Sequence, residues 1–194
     1  MEAKMYHIAN DKRAKKSADL IADGLLACLQ EQHFENITIS DLNRKSYVSR
    51  STFYRLFDNT MDVVSYLCDR MFENLIETFS KREWREGDNP IVFFFEEIMK
   101  HNLLIDILQK GNRVDILYET HLKYNRYFYK FYLDNMDLTE DEAKYVVGIL
   151  SSSLCSIITT WSAEGKKILL KNSIGVCRIA SASSASCMGF DGCG

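Results

Sequence analysis

The sequence predicts an all-α protein in two helical parts, on three observations. Only one proline and nine glycines punctuate the 194 residues, far fewer breakers than the turns of an all-β sandwich need. Five of the glycines (Gly165, Gly175, Gly189, Gly192, Gly194) fall in the last thirty residues. The remainder are too scattered to form a phosphate-cradling loop, which disfavours the dinucleotide-binding and P-loop enzyme classes. Apolar residues make up 46% of the chain against 26% charged, and they recur at three- and four-residue spacing, the period of a helix with one buried face.

Ala14, Ala18, Ile21, Leu25 and Leu29 set one face of a first helix from about Asp11 to Gln32. Thr38 with Asp41 three residues on is a capping-box start, and Ile39 and Leu42 give the second helix its buried side before it ends near Ser46. Ser49 caps a third short helix whose Phe53 and Phe57, four apart, point inward. Asn59 and Asp62 open a fourth, carried to about Ser80 by Val63, Val64, Leu67, Met71, Leu75 and Phe79. Pro90 suits the first position of a fifth, which breaks near His101-Asn102. A sixth, with Leu103, Leu104, Ile107 and Leu108, stops at Gly111, and a seventh, rich in aromatics, runs from Asn112 to Met136. Thr139 and Glu142 form a second capping box, opening a helix to Glu164 that Gly165 closes. Eight helices therefore account for the first 165 residues. Residues 171–194, rich in serine and glycine and without a helical period, read as a weakly structured tail.

The N-terminus shows no apolar leader, and the apolar runs Ile91–Phe95 and Ile149–Ile158 are too short or too broken by serine to span a bilayer. The six cysteines lack a Cys-x-x-Cys pair, so no zinc or redox site is expected. Cys28, Cys68 and Cys155 fall in apolar patterns as reduced core residues, which suits a reducing cytoplasm. His7, His33, His101 and His121 have no ligand spacing, and Asp69, Glu73 and Glu77 read as a solvated acidic row rather than a catalytic pair. No metal, cofactor or catalytic residue is expected.

Net charge is −3, which excludes a general basic coating for nucleic acid. Yet Asn43 to Phe57 holds Arg44, Lys45, Arg50 and Arg55 and no acid. Two short helices joined by a tight turn, with cations on and just before the second, have the layout of a helix-turn-helix, whose second helix enters the DNA major groove. Thr38-Ile39-Ser40-Asp41-Leu42, Val48-Ser49-Arg50-Ser51-Thr52-Phe53-Tyr54-Arg55-Leu56-Phe57 and Asp62-Val63-Val64 resemble the TetR-type (tetracycline-repressor-like) transcriptional regulators over some fifty residues. Trp161-x-x-x-Gly165 is similar to the regulatory domain of one subgroup. Two positions depart from the family pattern: Tyr47 stands at the usual glycine of the turn and Thr60 at a usual lysine.

The resemblance implies a DNA-binding domain over 1–58, a ligand-binding and dimerisation domain over 59–170, and the atypical tail over 171–194. It also implies a repressor that binds a double-stranded, pseudo-palindromic operator as a homodimer, with a small-molecule effector. Arg50, Ser51 and Arg55 match base-reading positions, and Thr38, Thr52 and Tyr54 match backbone contacts. Arg44, Lys45 and Ser49 complete the candidate DNA-binding set. Arginine suits guanine, and hydroxyls suit phosphate. Met71, Phe94, Tyr118 and Tyr127 are the candidate effector-pocket residues, although core packing is the better explanation of such aromatics. Tyr145, Ile149, Leu150, Leu154, Ile157, Ile158 and Trp161 form a broad apolar stripe assigned to the dimer interface. The alternative, supported by Tyr47 and Thr60, is a helical interaction or ligand-sensing module of the same fold with weakened DNA binding.

Overall fold

The computed structural model describes residues 6–8, 11–85, 88, 90–133 and 138–166. Among them are eight α-helices and no strand: α1 Lys12–Leu29, α2 Ile39–Ser46, α3 Arg50–Leu56, α4 Thr60–Lys81, α5 Pro90–Met99, α6 Asn102–Lys110, α7 Val114–Leu133 and α8 Glu140–Ala163, with a 3-10 turn at Phe34–Asn36. The chain divides into two compact units, Met1–Met71 and Phe72–Gly194, and the division falls inside α4. The tail 171–194 lies outside the described residues, with Cys177, Cys187 and Cys193.

In the first unit α1 packs on α2 and α3. Ala14, Ala18, Ile21, Leu25 and Cys28 supply the buried face of α1, and Leu42, Phe53, Leu56, Phe57, Val63 and Val64 meet in the same core. Gly24 lets α2 come close: a Cβ there would lie 3.1 Å from Ser46 Cβ and 3.3 Å from the Leu42 carbonyl oxygen. The first half of α4 is tied to α1 by polar contacts. Tyr66 donates to Asp19 (2.8 Å), and Arg70 bonds Asp23 (2.9 Å). Residues 6–8 lie against this unit as well. Tyr6 donates to Asp69, and the His7 amide donates to the Leu56 carbonyl at the end of α3 (2.9 Å). Asp69 is therefore buried and bonded, not part of a solvated row. Glu73 and Glu77 do face solvent.

In the second unit α8 packs on α5, α6 and α7. Phe72 from the second half of α4 stacks on Tyr124, and its edge meets Phe94 and His121. Asp106 of α6 accepts from Ser162 (3.0 Å) and Lys166 (2.7 Å) at the end of α8. Gly165 takes φ 70° there, and the Lys166 amide returns to the Trp161 carbonyl (2.9 Å), which satisfies one of the last orphan carbonyls of the helix.

Two expectations change. The sixth helix does stop at Gly111, but Asn112 after it is left-handed (φ 52°), so α7 begins at Val114 rather than at Asn112. Asp141–Ala163 is, by length and composition, long and apolar enough to cross a membrane. Within it the Ser151 and Thr159 hydroxyls bond back to the carbonyls of Val147 and Cys155 (2.8 Å each). Ala143, Val147, Leu154, Ile158 and Trp161 of this helix are buried in the second unit.

Candidate nucleic-acid interface

The candidate interface begins at Thr38. Its hydroxyl accepts from the Asp41 amide (3.2 Å) while Asp41 accepts from the Thr38 amide (3.1 Å), closing the capping box that starts α2. The Thr38 hydroxyl and amide bonds hold the Asp41 carboxyl below the usual carboxylate range. The helix ends at Tyr47, which adopts the left-handed conformation (φ 57°, ψ 21°) and stands 94% exposed. For a non-glycine residue that conformation costs on the order of 1–2 kcal/mol. Two residues later the Ser49 hydroxyl accepts from the Thr52 amide (3.2 Å) and starts α3.

Phe53, Leu56 and Phe57 are buried, which turns the opposite side of α3 outward. Arg50, Ser51, Tyr54 and Arg55 are exposed on it, as are Ser49, Arg44 and Thr38 nearby; Lys45 and Thr52 are half-buried. The Ser49 hydroxyl lies within hydrogen-bond distance of those of Ser51 (3.0 Å) and Thr52 (2.9 Å). Arg50 donates to the Tyr54 hydroxyl (3.4 Å), and its guanidinium lies 5.6 Å from the centre of that ring. A phenol leaves the charge of Arg50 intact. Arg44 and Lys45 instead pair with carboxylates, Asp41 (2.8 Å) and Glu31 (2.5 Å). Exposed pairs of this kind contribute little stability, about 0–1 kcal/mol, and can be exchanged for a phosphate.

Lys12, Arg13, Lys15 and Lys16 at the start of α1 are all exposed, and together they make a second basic cluster on the first unit. Four cations within five residues were the available signal.

The other candidate residues are placed differently. Met71 is buried at the end of the first unit; Phe94 is buried in the second, where it packs edge-on to His121. Tyr118 is half-buried and Tyr127 about half exposed. None of the four lines the open groove of about 500 Å³ formed in the second unit by Glu77, Thr78, Lys81, Arg82, Phe93 and Glu97. The apolar stripe of α8 also divides. Leu154, Ile158 and Trp161 are buried within the second unit, where α8 packs on α5, α6 and α7. They form part of the unit's own core. Tyr145 (77% exposed) and Ile149 (65%) face outward, with Leu150 and Ile157 half-buried.

A buried serine–histidine pair lies between α7 and α8. The Ser151 hydroxyl lies 2.8 Å from the Val147 carbonyl oxygen and 2.6 Å from His121 Nδ1. Burial lowers the pKa of His121 to about 4 and raises that of the Cys155 thiol to about 11. Cys28, Cys68 and Cys155 are buried free thiols. Among the described residues no group of His, Cys, Asp and Glu could hold a metal ion.

No family model matches the chain, and no curated protein matches it in sequence. Among solved structures it is similar to Lin0861 from Listeria innocua, with a TM-score of 0.68 at 16% identity over 92% of this chain and 98% of that one. It also shows a weaker likeness to a TetR transcriptional regulator from Streptococcus agalactiae 2603V, with a TM-score of 0.44 at 19% identity over 86% of this chain and 93% of that one. The Listeria likeness shows a shared fold over nearly the whole chain, and among the described residues that fold is all-α, with α2, a short turn over 47–49 and α3 in the order helix, turn, helix.

Proposed function

We propose that the protein is a sequence-specific, non-enzymatic DNA-binding regulator of transcription, of the TetR type. The observation that carries this reading is α3. It is capped by Ser49, anchored by Phe53, Leu56 and Phe57, and presents Arg50, Ser51, Tyr54 and Arg55 outward from a stretch without acids. In this reading Arg50, Ser51 and Arg55 reach base edges, and Thr38, Arg44, Lys45, Ser49, Thr52 and Tyr54 hold the phosphate backbone. The protein acts in the cytoplasm as a homodimeric repressor, with two copies of α3 in successive major grooves of a pseudo-palindromic operator. A small-molecule effector of the second unit regulates it by favouring one of its states over another.

The experiment is selection of duplex DNA from a random pool by the purified protein, followed by affinity measurement against salt. A selected palindrome whose binding falls steeply with salt supports the reading. The second reading, an interaction module with weakened DNA binding, draws on the pairing of Arg44 and Lys45 with Asp41 and Glu31 and on Thr60. It predicts no selected sequence and a shallow salt slope.

A further inference from the structure

We propose that Tyr47 is itself a DNA-contacting residue that packs its ring on deoxyribose and donates its hydroxyl to a phosphate at the edge of the major groove. The inference rests on the proposed DNA-binding function and adds a residue to its interface. Two independent observations single out this side chain. Its backbone is left-handed, at φ 57°, a conformation that tyrosine adopts only against a penalty glycine avoids. Its side chain is 94% exposed, the most exposed large apolar residue among those described, so burial within the chain does not offset that penalty. A strained residue that makes no compensating contact in the folded protein points to a contact made elsewhere.

Its surroundings indicate the partner. Tyr47 joins α2, the helix that crosses the backbone in this motif, to α3, whose first turn meets base edges. Arg44, Lys45 and Arg50 lie within three residues of it on either side; Arg44 and Lys45 are paired with Asp41 and Glu31, and among the described residues the charge of Arg50 meets only the Tyr54 phenol. A flat ring with one hydroxyl donor at the rim of a cationic surface suits a sugar–phosphate strand. Such a contact carries no base information and, being neutral, releases no counterion.

The test compares the full-length protein with Tyr47→Gly and Tyr47→Phe, using the selected operator, a scrambled duplex and a salt titration. Tyr47→Gly is expected to keep thermal stability at or above that of the parent, by up to about 4 °C. It is also expected to lose about tenfold in affinity on both duplexes, about 1.4 kcal/mol, with an unchanged salt slope. Tyr47→Phe keeps the ring and loses only part of that affinity. Unchanged binding by a stable Tyr47→Gly overturns the contact while leaving the DNA-binding function intact. Loss confined to one base pair overturns the backbone assignment. If the parent selects no sequence, the DNA-binding function and this contact fall together.

Discussion

Arg50 projects from the first turn of α3 with Tyr54 one turn on, and the hydrogen bond between them holds the guanidinium over the phenol. Arg50→Ala should therefore cost about 1–3 kcal/mol at one base pair of each half-site and relax the preference there. Competition binding against a panel of single-base operator variants measures it, and undiminished discrimination in a folded variant removes Arg50 from the reading set. His121 gives a second prediction at this scale. Burial lowers its pKa from 6.5 to about 4, so below pH 6.5 the unfolded chain binds a proton that the folded chain refuses until about pH 4. The unfolded state holds more protons across that window, and stability falls as pH drops through it, by up to about 3 kcal/mol. Urea denaturation at pH 7.5 and pH 5 should show a drop that shrinks in His121→Gln. An equal drop in the variant assigns the pH dependence to other groups.

At the scale of elements, the close approach of α1 and α2 depends on Gly24. A side chain there meets the backbone of α2 at Ser46 and Leu42, so α2 must move. Gly24→Val should destabilise the first unit by about 1–3 kcal/mol, read as a lower denaturation midpoint. It should also weaken DNA binding, since α2 carries Arg44 and Lys45. A stability equal to that of the parent means that the helices separate without penalty. The caps were legible in the sequence because they are local: Thr38 with Asp41, Ser49 with Thr52 and Thr139 with Glu142 each lie three residues apart. So was the outward side of α3, which the spacing of Phe53 and Phe57 determines. What the sequence hid depends on distant partners. Asp69 is buried by Tyr6, 63 residues earlier, and Lys45 is paired by Glu31 from the turn after α1. Gly24 reads as an ordinary helical position until α2 is placed against it. In α8 apolar residues lie on several sides, and periodicity alone does not tell which side its neighbours cover.

For the whole molecule, the proposed homodimer is confined to the outward remainder of α8, where Tyr145 and Ile149 are exposed. Burying two such side chains contributes about 1.5–3 kcal/mol each, and two-fold symmetry repeats them on the partner. The double substitution Tyr145→Glu with Ile149→Glu should raise the dimer dissociation constant about 100-fold or more, with helical content unchanged. Truncation after Lys171 should leave the dimer intact. Sedimentation under reducing conditions measures both, and a dimer indifferent to the double substitution places the interface elsewhere.

The two units have no linker between them. Their boundary falls inside α4, an unbroken helix from Thr60 to Lys81, and the next described segment outside a helix is Arg82–Arg85. A protease that needs an extended loop has no cut to make at the boundary itself. Nicking after α4 releases a fragment that keeps the whole helix and exposes the apolar face of Phe72, Leu75 and Phe79 to water. Exchanging the DNA-reading half with that of a related chain requires a splice within the helix, in register. One inserted residue turns everything after it by about 100° about the helix axis, so successful chimaeras should be those whose joint preserves the count from Asp62 to Phe79.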